Sequence, residues 1–151
     1  MGFQNCLEKK KFRNEYHQLM MSILVSSAWV NEKMKAVLLE EDITLQQYNI
    51  LSILHESDKP LSILQIREAM VDKMSDTSRI VDRLVAKDMV HKCVCAMDKR
   101  LVDISIAENG NTLLCRMNDR LGLLDETCSQ LDSSEVKTLI TLLDKMRGEE
   151  L

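Results

Sequence analysis

The sequence has few residues that interrupt helices: its 151 residues include four Gly and one Pro. Aromatic residues make up only 3% of the chain. Because Gly and Pro are the strongest helix breakers, and because Leu, Met, Glu and Lys favour helices, this composition predicts a mainly helical protein. The length is sufficient for a single domain with a substantial hydrophobic core.

Long apolar runs are also missing, since no stretch approaches the roughly 20 residues that a transmembrane helix needs. The first 16 residues are polar and charged, unlike a secretory signal peptide with its apolar central region. The five cysteines are odd in number and lack the spacing of a disulfide framework, which suits free thiols in a reducing compartment. We therefore expect a cytoplasmic protein.

Signatures of catalysis are absent from the sequence. The three histidines have no partners at a catalytic or metal-binding spacing, and no Gly-rich phosphate loop or nucleophile motif is found. We expect that the protein is not an enzyme and that it uses neither a cofactor nor a bound metal.

The charge is unevenly distributed along the chain. The formal net charge is −4, yet residues 59–100 carry nine Lys and Arg against six Asp and Glu. Both flanking segments are acidic. If the protein binds a polyanion, we expect the basic segment 59–100 to contact it.

Hydrophobic periodicity predicts helices on both sides of this segment. Residues 14–40 form one long helix, which is best explained by packing against a partner subunit, although a long core helix in a monomer is the alternative. Residues 111–131 and 133–147 form two further amphipathic helices. Thr44 and Ser62 are predicted to cap two short helices, and Ser75 to open a third, the fourth along the chain.

Two strand-like runs, 89–97 and 101–106, follow these helices and predict an antiparallel hairpin with its corner at 96–99. Three short helices followed by a hairpin is the element order of a winged helix-turn-helix. The predicted fold is thus mainly α with a small β-hairpin wing and long terminal dimerisation helices. We divide the single domain into 1–42 for dimerisation, 43–107 for DNA binding and 108–151 for dimerisation.

The fourth predicted helix carries the chemistry of DNA recognition, since hydroxyl groups and Arg side chains suit phosphates and base edges in the major groove. The hairpin corner places Lys99 and Arg100 together, and an Arg on a thin hairpin can enter the minor groove. Asp98 is close enough in the sequence to accept a charge-assisted hydrogen bond from the Arg100 guanidinium. The predicted DNA-binding residues are Ser62, Lys73, Ser75, Thr77, Ser78, Arg79, Arg83, Asp98, Lys99 and Arg100. The alternative is an ordinary solvated helix face and a simple turn.

The segments "ITLQQYNILSIL", "LSILQIREAM", "MSDTSRIVDRLVAKDMV" and "DKRLVDISIAENG" together resemble the MarR-type family of winged helix-turn-helix regulators. In the last segment Asp98, Arg100 and Gly110 match the wing signature of that family, while Ala107 replaces its usual Thr and removes a helix cap. The resemblance implies a homodimer that binds double-stranded DNA at a pseudo-palindromic operator, most often as a repressor. It also implies release by a small-molecule effector, for which Met20, Met21 and Met34 are candidate cleft residues.

Two alternatives remain open from the sequence. His91, Cys93 and Cys95 alternate along one predicted strand, which would suit a thiol- or metal-responsive regulator, although ordinary strand residues in a reduced protein are the better explanation. A winged domain that binds protein instead of DNA is the second alternative. Cys115 and Cys128 fit helix faces and are predicted to be buried.

Overall fold

The computed structural model describes residues 11–94 and 102–148. Within these ranges the chain is mainly helical and contains one small antiparallel sheet, so the predicted fold class is confirmed. The elements in chain order are α1 (Glu15–Leu39), α2 (Leu45–Glu56), β1 (Leu61–Ser62), α3 (Ile63–Ala69), α4 (Thr77–Ala86), β2 (Val90–Val94), β3 (Val102–Ile106), α5 (Glu108–Asp125) and α6 (Ser133–Arg147). A 3-10 turn, Glu126–Cys128, follows α5.

The starts of α2 and α3 are capped by Thr44 and Ser62, as the sequence predicts, and each cap is part of a capping box. Thr44 Oγ1 accepts from the Gln47 backbone N–H at 3.2 Å, and Gln47 Oε1 accepts from the Thr44 N–H at 2.9 Å. The same reciprocal pair joins Ser62 and Gln65. Each box satisfies two backbone donors that a helix start would otherwise leave without partners.

Two helix starts differ from their predicted positions by two or more residues, and α5 ends at Asp125 instead of near residue 131. Helix α4 is the fourth predicted helix, called the recognition helix below. It begins at Thr77 rather than at Ser75, because Asp76 is its N-cap and accepts from the Arg79 backbone N–H. Helix α5 begins three residues earlier than predicted, at Glu108, and its N-cap Ala107 makes no side-chain cap hydrogen bond. The missing cap at Ala107 agrees with the predicted loss of the family's Thr.

The sheet has the strand order β1-β3-β2 and is antiparallel throughout. β2 pairs with β3 from Val90 opposite Ile106 to Val94 opposite Val102. The sequence predicts only this hairpin, whereas the structure adds the two-residue strand β1, in which Leu61 pairs with Ile104. β1 leads directly into α3, so the sheet and the helices share one core.

This core lies around α2, whose buried residues contact the other elements of the winged region. Ile50 and Leu51 are fully buried at its centre, and Ile104 from β3 packs into the same cluster. The other fully buried side chains of the cluster are Leu38, Ile66, Val81, Leu84, Leu113 and Met117. Because α4 contributes two of them, the core fixes the orientation of the recognition helix.

Helices α1 and α6 are poorly covered within one chain. α1 buries only Leu38 among its 25 residues, and α6 buries none of its 15. Exposed large apolar side chains on these two helices are Tyr16, Leu19, Met20, Leu24, Val30, Leu39, Leu139, Ile140, Leu142 and Met146. The prediction that Cys115 and Cys128 are buried is wrong, because both lie on the exposed sides of their segments. Across the described residues, every helix is too short or too polar to cross a bilayer.

Candidate nucleic-acid interface

Helix α4 has a buried face and an open face. Val81 and Leu84 pack into the core, whereas Ser78, Arg79 and Arg83 are exposed. Residues four apart lie on the same side of a helix, so the two Arg side chains form one cationic row. A row of Arg side chains beside a hydroxyl group is suited to contact both phosphates and base edges.

The turn that precedes α4 is held by side-chain hydrogen bonds. Asp72 Oδ1 accepts from the Met74 backbone N–H at 3.1 Å, and Asp72 Oδ2 accepts from the Ser75 hydroxyl at 2.7 Å. Asn49 on α2 accepts from the Val71 N–H at 3.0 Å. Ser75 is therefore part of the turn, and Lys73 lies exposed within it.

Thr77 differs from its predicted role at the DNA surface. Its side chain is only 3% exposed, and its hydroxyl lies 3.4 Å from the Ser75 carbonyl oxygen and 3.5 Å from the Met70 sulfur. The first residue of α4 thus faces the core, because Thr77 is four and seven residues before Val81 and Leu84 and lies on the same face of the helix. Ser62, another predicted contact, uses its hydroxyl to cap α3.

An ion pair connects the recognition helix to the sheet. Lys92 Nζ on β2 lies 2.9 Å from Asp82 Oδ1 on α4. β2 and β3 are paired as far as Val94 and Val102, where the described residues end. Asp98, Lys99 and Arg100 lie between these two positions in the sequence and outside the described residues.

A second group of ion pairs connects the end of α1 to α4 and α5. Asp42 follows α1 with a positive φ of 54°, and its carboxylate lies 2.8 Å from Lys87 Nζ at the end of α4. The hydrogen bond from Lys87 and its charge lower the pKa of Asp42, which favours the carboxylate form of that side chain. Arg116 Nη2 lies 3.0 Å from Glu41 Oε2, and the Arg120 guanidinium pairs with the Glu40 carboxylate.

The predicted thiol and histidine strand is only partly described. His91 lies opposite Ser105 and Cys93 opposite Asp103, and both side chains are exposed, while Cys95 lies outside the described residues. Within 11–94 and 102–148, no three His, Cys, Asp or Glu side chains are grouped as metal ligands would be.

A cavity of about 230 Å³ lies between α1, α2 and the turn before α4. Its wall is mainly apolar and includes Met34 from α1, Tyr48 from α2 and Met70 from the turn before α4. Of the three Met residues predicted to line a cleft, Met34 lies in this wall, whereas Met20 is an exposed residue of α1. The cavity therefore adjoins both the long terminal helix and the turn that positions α4.

The arrangement of α2, α3, α4 and the three-stranded sheet defines a winged helix-turn-helix protein. The sequence model of the MarR family matches residues 43–102, which span this arrangement up to the start of β3. The resemblance to the MarR family seen in the sequence is confirmed for this region.

Solved structures with the same fold extend the likeness to the terminal helices. A cysteine-to-serine mutant of E. coli MarR complexed with operator DNA is 23% identical, with a TM-score of 0.81 over 92% of this chain and 100% of that one. A MarR-like transcription regulator from Bacillus cereus ATCC 10987 is 18% identical, with a TM-score of 0.80 over 88% and 96% of the two chains. The S. aureus MepR–DNA complex is 25% identical, with a TM-score of 0.74 over 90% and 97%. None of the curated proteins shows a significant sequence match.

Proposed function

We propose that the protein is a sequence-specific, DNA-binding transcriptional regulator. The observation that carries the proposal is the open face of α4, where Ser78, Arg79 and Arg83 are exposed while the opposite face is packed into the core. A helix held in this way can enter the major groove without disturbing the fold. Support also comes from E. coli MarR and S. aureus MepR, whose structures with this fold contain DNA.

The wing supplies the second contact of the proposed complex. Arg100 enters the minor groove beside the site of α4, and Asp98 braces its guanidinium by a charge-assisted hydrogen bond. The Lys92–Asp82 ion pair supports this proposal, because it holds β2 against the recognition helix. Lys73 and Lys99 contact phosphates on either side, and Thr77 is not included in the interface.

The regulator acts as a homodimer. Its exposed apolar side chains on α1 and α6 are too numerous for a chain that remains alone, since large exposed apolar patches usually mark interaction surfaces. A 15-residue helix with no buried residue is also marginal by itself in water. A second copy that packs its α1 and α6 against these residues supplies the missing partner and a two-fold axis.

Repression with release by a small-molecule effector is the proposed mode of regulation. The support is the apolar cavity between α1 and the turn before α4, which is lined by Met34 and Met70. A ligand there would contact the dimerisation helix and the recognition-helix turn at once. A ligand that binds more tightly to one relative position of α1 and this turn would stabilise that position. The distance between the DNA-binding regions of the two subunits would then change.

Fluorescence anisotropy with Arg83→Ala and Arg100→Ala tests the proposed interface. Each variant is expected to lose about 1–3 kcal/mol of operator affinity, because each removes a charged donor from a groove. Arg147→Ala, which removes an exposed Arg from the end of α6, is the matched control and should bind as wild type does. If all three variants bind equally in a salt series, the interface is wrong, and the protein-binding alternative becomes the better explanation.

A further inference from the structure

Asp76 makes two contacts with the same residue of the recognition helix. Its Oδ1 accepts from the Arg79 backbone N–H at 3.2 Å, and its Oδ2 lies 3.2 Å from Arg79 Nε. The carboxylate is itself fixed, because Asp76 is the N-cap of α4. One acidic residue thus holds both the main chain and the side chain of Arg79.

This contact determines which edge of the guanidinium is free. Nε is paired with Asp76, whereas Nη1 and Nη2 have no acceptor among residues 11–94 and 102–148. The Arg79 side chain is 81% exposed and lies on the open face of α4. Two parallel N–H donors at the tip of an Arg match the O6 and N7 acceptors of guanine in the major groove.

We propose that Asp76 is a specificity-determining residue that positions Arg79 for end-on recognition of one guanine in each half-site. The proposal rests on the proposed DNA-binding function and names the base that α4 reads. Asp76 acts through Arg79, to which both of its carboxylate oxygens are bound.

The same carboxylate lowers the general attraction of the helix for DNA. A negative charge in the first turn of α4 repels the phosphates that a cationic surface would otherwise attract at any sequence. An exposed ion pair contributes little to stability, and Asn is as good an N-cap as Asp. The carboxylate therefore weakens binding to DNA of any sequence and, by positioning Arg79, increases the preference for the operator.

Asp76→Asn tests the proposal, with Asp88→Asn as the matched control. Both variants change one exposed carboxylate at an end of α4 to an amide, but Asp88 follows the helix and makes no ion pair among the described residues. Affinities are measured for the selected operator, for operators with each G·C pair replaced in turn, and for an unrelated duplex. Asp76→Asn is expected to bind the unrelated duplex more tightly and to lose about tenfold in preference for one guanine per half-site.

A double variant separates positioning from direct recognition. In an Arg79→Ala background, Asp76→Asn should leave the base preference unchanged, because the side chain that it positions is gone. If Asp76→Asn still changes the preference in that background, Asp76 reads a base itself and the proposal is wrong. A preference equal to that of Asp88→Asn would also overturn it, leaving Asp76 as a cap only. Failure of wild type to distinguish the operator from the unrelated duplex would instead refute the DNA-binding function.

Discussion

Replacement of Gly110 by Ala is expected to lower the free energy of unfolding by about 2 kcal/mol, the middle of the range for overpacking a core. Gly110 is buried in the first turn of α5. A Cβ atom at this position would overlap the Met89 carbonyl oxygen and lie 2.9 Å from Ile106 Cγ1. The carbonyl cannot move away freely, because it accepts from the Ala107 N–H at 2.9 Å.

The same helix provides the control for this prediction. Nothing lies within 4 Å of a Cβ atom built at Gly122, so Gly122→Ala should stabilise the protein by about 0.5–1 kcal/mol through its higher helix propensity. Urea unfolding of both variants, with the slope of the transition compared, measures the two effects. Equal changes in the two variants would show that α5 does not approach Met89 as closely as the structure indicates.

Leu139→Glu is expected to convert the protein from a dimer to a monomer and to abolish high-affinity operator binding. Leu139 lies exposed on the apolar side of α6, a helix with no buried residue in one chain. Burying a carboxylate without a partner in a protein interface costs several kcal/mol. In the proposed complex the two subunits bind DNA together, so loss of the dimer also removes the gain in affinity that comes from linking them.

Thr141→Glu is the control for the dimer prediction, because it adds the same charge to the same helix on the side away from Leu139. Sedimentation velocity should give twice the mass of one chain for wild type and for Thr141→Glu, and the mass of one chain for Leu139→Glu. A wild-type protein that sediments as a monomer at micromolar concentration would contradict the dimer. So would a Leu139→Glu protein that remains dimeric.

Local sequence signals predicted the helix starts that depend on local chemistry. Thr44 with Gln47 and Ser62 with Gln65 form capping boxes within four residues, so no tertiary information is needed to find them. The observed start of α4 differs from the predicted one because Ser75 and Asp76 are both good caps. Ser75 is not the cap, because its hydroxyl donates to the Asp72 carboxylate in the preceding turn.

Features that join distant segments had no signal in the sequence. The two-residue strand β1 is too short to show alternation, and it exists because Leu61 meets Ile104 across the sheet. The pairing of Asp42 with Lys87 likewise joins residues far apart in the chain. The hydroxyl of Thr77 favours the DNA surface, but its spacing to Val81 and Leu84 places it on the buried face of α4, a signal that the sequence does contain.

Selection of binding sites from a random duplex pool, followed by sequencing, would show whether the protein recognises DNA as a symmetric dimer. A dimer with one α4 in each of two adjacent major grooves should enrich an inverted repeat whose half-sites are centred about one helical turn apart. Enrichment of such a repeat, with affinity that falls steeply as salt rises, is the predicted result. A pool with no enriched sequence, or with a single isolated half-site, would contradict the account of a dimeric, sequence-specific regulator.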